Sequence, residues 1–404
     1  MKWLIPFALL APLQKPSPSE VEKLVLRYFE APAPERAEIL KRLEQLDPLT
    51  PEGVKSWSKR LLALAAKGPK TPGKPRNYFY DEKKKSGLYL LGGKRPGNGS
   101  LFFGLHEGGQ GQGSADDAMG PWNGAVSAKG WLAVYPEVLE KTASGWTEEP
   151  TERFFLELIE TMKRTYRIDT NRIYLAGHSM GAHGTWTLGG WHADLFAGLV
   201  ASAGSPTPYL DAEKKVVGVK EGVIANLRNL PVWSYHSKDD PNVGVDRTQA
   251  AIAELKRLAA EHGGYVHIYE EVNNRGHDFP PPAPALEWIG NHVRDPRPKK
   301  VVWQPARPGK RMFYWLWWEA PRLGETVVAA LAAPNAFEVR IEPGSGGLSL
   351  LLDDRLVDFG KEVVVRVNGA EKFRGRIAPS LATMLLTAAE RNDPEMLFLA
   401  RVRI

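Results

Sequence analysis

The chain has 404 residues, 43% of them hydrophobic, which is enough for two or three domains that each bury a core. Its 53 basic and 47 acidic residues give a net charge of +6, and because both signs are spread along the chain, we expect no nucleic-acid partner. The absence of cysteine excludes disulfides, thiolate metal sites and a cysteine nucleophile.

The N-terminus has the pattern of a signal peptide over residues 1 to 16. In "MKWLIPFALLAPLQKPS", Lys2 precedes an apolar stretch from Trp3 to Leu13, which is too short to span a bilayer. Ala8 and Ala11 are the nearest small residues for cleavage. We predict export to the periplasm or the medium without stable membrane insertion; a frayed or buried terminus is the alternative.

Residues 17 to 75 are predicted to form a small helical extension. Prolines at 32, 34, 48 and 51 divide it into short helices, and the Pro- and Gly-rich "KGPKTPGKPRN" marks its end near residue 75. Apolar residues recur at helical spacing at Val21, Leu24, Val25, Tyr28, Ile39, Leu43 and Leu46.

In residues 76 to 298, short apolar runs alternate with amphipathic stretches, which predicts an α/β domain with a mostly parallel sheet between helices. One helix is clear, because apolar residues between Phe154 and Tyr166 form a stripe at helical spacing. The predicted strands are "LYLL", "SLFFGLH", "WLAVYP", "RIYLAGH", "FAGLVASAG", "PVWSYHS" and "YVHIYEEV".

Residues 299 to 404 are predicted to form an antiparallel, sandwich-like β domain. The Asn368-Gly369 pair inside "EVVVRVNGAEKFRGRI" is a strong hairpin signal. The aromatic residues of "RMFYWLWW" fit a strand that packs its rings into the core, and a sugar-stacking platform is the alternative, so polysaccharide contact stays open. The rings are Tyr314, Trp315, Trp317 and Trp318.

Ser179 is the candidate nucleophile. It lies in "YLAGHSMGAHG", where a buried-strand pattern ends at G-x-S-x-G and a small-residue stretch suited to a closely packed helix follows. The motif alone is weak, but a strand, a sharp turn and a helix together expose a serine at the carboxyl edge of a sheet. Gly177 and Gly181 would allow that turn without Cβ clashes.

A serine nucleophile needs a base and a carboxylate that orients it, in the chain order Ser, Asp, His. His277 follows the strand "YVHIYEEV", and Asp239 and Asp240 both follow the strand "PVWSYHS". We predict the triad Ser179, Asp240 and His277, with Asp239 as the competitor for the acid.

At these residues the chain resembles the α/β-hydrolase superfamily, in particular secreted esterases of the feruloyl-esterase, polyhydroxyalkanoate-depolymerase and dienelactone-hydrolase kind. That family often carries "HGxxDxxV", and "HSKDDPNV" aligns Asp240 with its acid, with Ser237 in place of Gly. The resemblance covers about residues 76 to 295 and implies the α/β-hydrolase fold.

The resemblance extends to "GLHEGGQGQG", residues 104 to 113, as an oxyanion loop. The backbone amides of Met180 and of Glu107 are the expected donors, with the Glu107 carboxylate pointing away from the oxyanion. His106 and Trp146 are placed in the substrate-binding set: His106 also as a structural residue of the loop, and Trp146 on a loop at the rim.

The remaining histidines form no close pair with metal-ligand spacing, so we predict no metal and no organic cofactor. His178 is expected to fill the variable motif position, and His236 is expected to be a turn residue beside the acid.

The predicted function is hydrolysis of carboxylic esters, small or polymer-linked, through an acyl-enzyme intermediate. A serine peptidase of the prolyl-oligopeptidase kind uses the same triad order, but it usually carries a large domain before the catalytic one. A non-catalytic polysaccharide-binding protein with a vestigial hydrolase domain is the alternative from another class.

Overall fold

A computed structural model describes residues 15–81, 84–95, 97–109 and 111–404. The predicted signal peptide lies outside them for residues 1 to 14. No helix among the described residues is both long enough and apolar enough to cross a membrane.

The helices are α1 Pro18–Glu30, α2 Ala33–Leu43, α3 Pro51–Ala65, α4 Ala115–Ala128, α5 Glu149–Thr165, α6 Met180–Trp191, α7 Val245–His262, α8 Pro282–Gly290 and α9 Leu381–Glu390. The first ten strands are β1 Arg76–Asp81, β2 Lys84–Gly93, β3 Leu101–Leu105, β4 Leu132–Pro136, β5 Ile173–His178, β6 Gly198–Ser202, β7 Pro208–Leu210, β8 Val216–Val219, β9 Val232–Ser237 and β10 His267–Val272. The others are β11 Lys300–Trp303, β12 Met312–Phe313, β13 Leu316–Trp318, β14 Val327–Ala333, β15 Ala336–Arg340, β16 Leu348–Leu352, β17 Val363–Val367, β18 Ala370–Gly375 and β19 Ala400–Arg403.

The central sheet has the strand order β1-β2-β4-β3-β5-β6-β9-β10 among the described residues. The pairs β1/β2 and β2/β4 are antiparallel, and the pairs from β4/β3 to β9/β10 are parallel. Strands β3, β4, β5 and β6 are buried along their whole length, as expected for continuous apolar runs with helices on both faces. The predicted mostly parallel sheet is confirmed.

Hydrophobic clusters cover both faces of this sheet. On one face, α4 and α8 pack through Trp122, Leu286 and Ile289. On the other face, α5 contributes the predicted stripe, with Phe155, Leu158 and Met162 buried. The same cluster continues into the C-terminal strands, so the central sheet and the β region share one core.

The C-terminal region contains two small sheets, ordered β11-β14-β15-β17-β18 and β12-β13-β16-β19 among the described residues, which agrees with the predicted β domain. Asn368 and Gly369 both have positive φ between β17 and β18, as an Asn-Gly hairpin turn requires. The β15/β17 pair differs from the expected antiparallel pattern because it is parallel. The rings of Tyr314, Trp315, Trp317 and Trp318 are buried, so they pack in the core and cannot stack on a glycan.

Helix α9 was not predicted. Its buried residues, among them Leu381, Met384 and Leu385, form a cluster with residues of the N-terminal helices such as Val25 and Leu61. The helical extension therefore packs against a helix from the other end of the chain. No pattern within one segment reveals such a partner.

Asp194, which follows α6, is linked to the C-terminal region through buried charges. Its side chain is fully buried and lies 2.7 Å from Lys310 Nζ and 2.7 Å from Arg391 Nη2. Burial alone would raise the pKa of Asp194, but the two cations outweigh it and hold that pKa well below its usual value.

We expect Asp194→Asn to lower the free energy of unfolding by about 3 to 5 kcal/mol, because Lys310 and Arg391 would remain buried without their counter-charge. Urea unfolding followed by circular dichroism measures the change. The control is Glu38→Gln, which breaks an exposed ion pair with Lys41 of the same 2.7 Å length and should cost about 1 kcal/mol or less. Equal losses in the two variants would contradict a structural role for the buried charge cluster.

Candidate active site

Ser179 lies on a sharp turn between β5 and α6. Its φ of +53° is in the region that L-residues rarely adopt, and its backbone N–H donates to the carbonyl of Ser202 at 2.9 Å. A Cβ at Gly177 would lie 2.2 Å from the carbonyl oxygen of Gly181, so the turn requires glycine there. The strand, turn and helix predicted around Ser179 are present.

His277 and Asp240 meet at the same edge of the sheet, each in the loop that follows a parallel strand. His277 Nδ1 lies 2.7 Å from Asp240 Oδ2, and the Asp240 side chain is fully buried. The backbone amides of Asn242 and Val243 donate to Asp240 Oδ1 at 2.8 and 2.9 Å. Burial alone would raise the pKa of Asp240, but the hydrogen bonds from His277 and these amides outweigh it and lower that pKa.

Asp239 occupies a different position from Asp240. Its carboxylate is exposed, accepts from Ser237 Oγ at 2.5 Å and lies 3.3 Å from the backbone N of Arg275. These contacts stabilise the turn that carries His277, and they give Ser237 a structural role. Asp240, not Asp239, therefore has its carboxylate on the His277 ring.

His236 is a second partner of Asp240 that the sequence interpretation treated only as a turn residue. Its buried ring places Nε2 3.1 Å from Asp240 Oδ2 and 3.0 Å from the Val243 carbonyl, and Nδ1 2.7 Å from Thr248 Oγ1. Burial lowers the pKa of His236. Two acceptors, Asp240 Oδ2 and the Val243 carbonyl, face Nε2, so the ring donates from that atom. The Asp240 carboxylate is thereby held between two imidazoles.

The Gly-rich loop after β3 lies directly against the serine turn. A Cβ at Gly181 would lie 2.3 Å from the carbonyl oxygen of Leu105 and 2.9 Å from that of His106. Met180 is the first residue of α6, so its N–H has no acceptor within that helix. This contact brings the backbone of Leu105 and His106, which directly precede Glu107, beside the start of the helix.

The Glu107 carboxylate faces two histidines. Its Oε2 lies 3.5 Å from His178 Nε2, and the His178 and His277 rings are 4.9 Å apart between centroids. Burial raises the pKa of Glu107, while burial and the nearby His277 charge lower the pKa of His178 to about 4. The Glu107 side chain was expected to point away from the oxyanion, and that stays a prediction; in the structure the carboxylate lies towards His178.

His106 is fully buried and serves the loop. Its Nδ1 lies 2.7 Å from the Glu107 carbonyl and its Nε2 accepts from the Val138 amide at 3.2 Å, so both ring nitrogens are occupied. Burial lowers its pKa, which keeps the ring neutral. The structural role expected for His106 agrees with this, and its placement among substrate-binding residues is wrong.

Trp146 is also fully buried, so its expected position at the rim is wrong. Its Nε1 donates to the His106 carbonyl at 3.0 Å, and its ring packs so closely on α6 that a Cβ at Gly184 would lie 2.6 Å from Trp146 Cβ. The sequence around Trp146 predicts an exposed loop. Its burial depends on Gly184, which lies on another element and leaves room for the ring.

The strand order of the central sheet and the serine turn after β5 together identify the fold. The chain has the α/β-hydrolase fold. No protein-family model matches the sequence, and no curated protein sequence matches it either.

Several solved structures are similar to the chain over about half its length. A thermostable esterase is 24% identical with a TM-score of 0.41, covering 54% of this chain and 62% of its own. A ferulic acid esterase of the CE1 kind from the anaerobic fungus Anaeromyces mucronatus is 20% identical with a TM-score of 0.41, covering 55% and 93%. An S-formylglutathione hydrolase from Agrobacterium tumefaciens is 14% identical with a TM-score of 0.40, covering 54% and 94%.

Proposed function

We propose that this α/β-hydrolase is a serine esterase that cleaves carboxylic esters through an acyl-enzyme intermediate. The observation that carries the proposal is the positive-φ turn that presents Ser179 at the sheet edge where Asp240 and His277 form a hydrogen-bonded pair. A serine hydroxyl needs such a pair, because it stays protonated near neutral pH and is then a weak nucleophile.

The proton path follows from the Asp240 contact. With its Nδ1–H donated to Asp240, His277 carries the lone pair on Nε2, and that atom would take the Ser179 proton as Oγ attacks the ester carbonyl. His277 then returns the proton to the leaving alcohol. Water attacks the acyl-enzyme by the same route, releases the acid and restores Ser179.

The oxyanion of the tetrahedral intermediate needs donors that are fixed before the reaction. We assign this role to the backbone amides of Met180 and Glu107, which belong to the two segments in contact at Gly181. A Cβ at Gly113 would lie 2.1 Å from the Glu107 carbonyl oxygen, so the glycine keeps this turn compact. The Glu107 carboxylate lies on the side of the histidines.

The esterase proposal is favoured over a peptidase because the N-terminal helices pack against α9. Among the described residues before the catalytic domain, the buried apolar ones from Val21 to Leu61 form a cluster with α9 and are not members of the clusters that cover the central sheet. Small and polymer-linked esters both remain within the proposal. Export is likewise proposed from the N-terminal sequence, and N-terminal sequencing of the secreted protein would locate a cleavage site.

Labelling with a fluorophosphonate tests the proposal. An activated serine displaces fluoride and keeps the phosphonyl group, so we expect one adduct on the peptide that contains Ser179 and a parallel loss of p-nitrophenyl butyrate hydrolysis. A dipeptidyl p-nitroanilide measured alongside separates the two enzyme classes. Turnover of the anilide alone would support the peptidase, and an unlabelled, inactive protein would support the non-catalytic alternative.

A further inference from the structure

Glu107, His178 and His277 bring three ligand atoms together at the mouth of the active site. One carboxylate oxygen and one nitrogen from each ring lie within 4.8 Å of one another. In sequence these residues are far apart or lie beside the nucleophile, so no spacing rule identifies them. Two imidazoles and a carboxylate are a ligand set that zinc adopts in proteins, with a further position left open.

Each imidazole has a hydrogen-bond partner at its Nδ1 atom, and metal-binding histidines are usually oriented by such a partner on the nitrogen that does not bind the metal. His178 Nδ1 lies 2.9 Å from Ser202 Oγ, and His277 Nδ1 lies 2.7 Å from Asp240 Oδ2. When Ser202 Oγ accepts from His178 Nδ1 and Asp240 accepts from His277 Nδ1, each ring has its Nε2 lone pair available for a cation. His178 Nε2 faces the Glu107 carboxylate.

The distances suit a small cation after limited adjustment. Ligand atoms about 2.0 to 2.1 Å from a tetrahedral zinc are about 3.3 Å apart, and Glu107 Oε2 is already 3.5 Å from His178 Nε2. The other separations are at most 4.8 Å. The half-exposed Glu107 side chain is free to turn, so it can close the remaining gap.

We propose that Glu107, His178 and His277 form a binding site for a divalent cation of the zinc class, and that its occupation reversibly inhibits the enzyme. A cation on His277 Nε2 takes the lone pair that would accept the Ser179 proton, so the bound protein lacks its general base. The inhibition rests on the proposed esterase function, whereas the binding does not.

Titration of the full chain with Zn²⁺ alone, followed by calorimetry, tests the binding. We expect one saturable site whose affinity falls at least about tenfold in His178→Gln and in Glu107→Gln. The matched control is His292→Gln, because the His292 carbonyl accepts from Tyr174 near the start of β5, at the opposite edge of the sheet. The affinity of the His292→Gln variant for Zn²⁺ should stay within twofold of that of the parent.

Ser202→Ala keeps all three ligands and removes the partner of His178 Nδ1, together with a long 3.5 Å hydrogen bond to the Gly177 carbonyl, so it guards against a loss caused by misfolding. We expect a weakening of about tenfold with an unchanged circular dichroism spectrum. Absence of a saturable site, or equal affinity in the parent and in His178→Gln, would overturn the proposal.

Ester hydrolysis with and without Zn²⁺ tests the inhibition. We expect turnover to fall in proportion to site occupancy and to return when a chelator is added, with a concentration for half-inhibition at least tenfold higher in His178→Gln. Binding at these residues without inhibition would overturn the inhibitory step alone. A protein without ester turnover would refute the proposed function, while calorimetry would still decide whether the cation binds.

Discussion

Ser179→Ala should lower kcat for p-nitrophenyl butyrate by about 10⁴ to 10⁶-fold. The variant loses the oxygen that forms the acyl-enzyme and retains the oxyanion donors, so a small residual rate over water should persist. Alanine and serine are equally strained at a φ of +53°, so the free energy of unfolding should change little. Stopped-assay kinetics and a urea titration measure the two quantities.

The control is Ser144→Ala, which removes an exposed serine from a loop beside Gly109 on the same edge. The one side-chain hydrogen bond that Ser144 makes among the described residues is to Glu148 at 3.5 Å, so kcat should stay within twofold of the parent. A Ser179→Ala variant as active as Ser144→Ala would rule out Ser179 as the nucleophile.

Asp240→Asn should lower kcat by about 10³ to 10⁴-fold. The amides of Asn242 and Val243 donate to Oδ1, so an asparagine would keep its oxygen there and turn its NH₂ group towards His277 Nδ1. His277 would then carry its proton on Nε2. That atom could no longer accept the proton of Ser179.

Asp239→Asn is the matched comparison, one residue away in the same loop. An asparagine oxygen can still accept from Ser237 Oγ and from the Arg275 amide, so kcat should change by less than about tenfold. If Asp239→Asn were the more damaging substitution, the acid would be Asp239 and the triad proposed here would be wrong.

The stability of the C-terminal region is tied to the catalytic sheet. The two share one hydrophobic cluster and the buried charges on Asp194, which explains why residues 299 to 404 present no apolar ring platform to solvent. The described residues of this region therefore act as part of the scaffold that holds the hydrolase sheet.

Local sequence patterns determined many of the strands, helices and turns of this protein. Apolar runs of strand length became the buried strands β3 to β6, because a fully covered strand needs no polar face. The stripe of α5, the Asn368-Gly369 hairpin and the serine turn also depend on residues within a few positions of each other. Ser179, Asp240 and His277 each follow a predicted strand. Because parallel strands end at the same edge of a sheet, the sequence predicted that these residues lie there.

Contacts between distant segments were decided only by the tertiary structure. Trp146 is buried because Gly184 on α6 leaves room for its ring, and α9 packs on the N-terminal helices because each offers the other an apolar face. Glu107, His178 and His277 meet because the last residue of β5 and the loops after β3 and β10 lie at the edge where parallel strands end. Such partners leave no periodic signal in the chain, since a side chain's burial and charge environment depend on atoms that arrive from elsewhere.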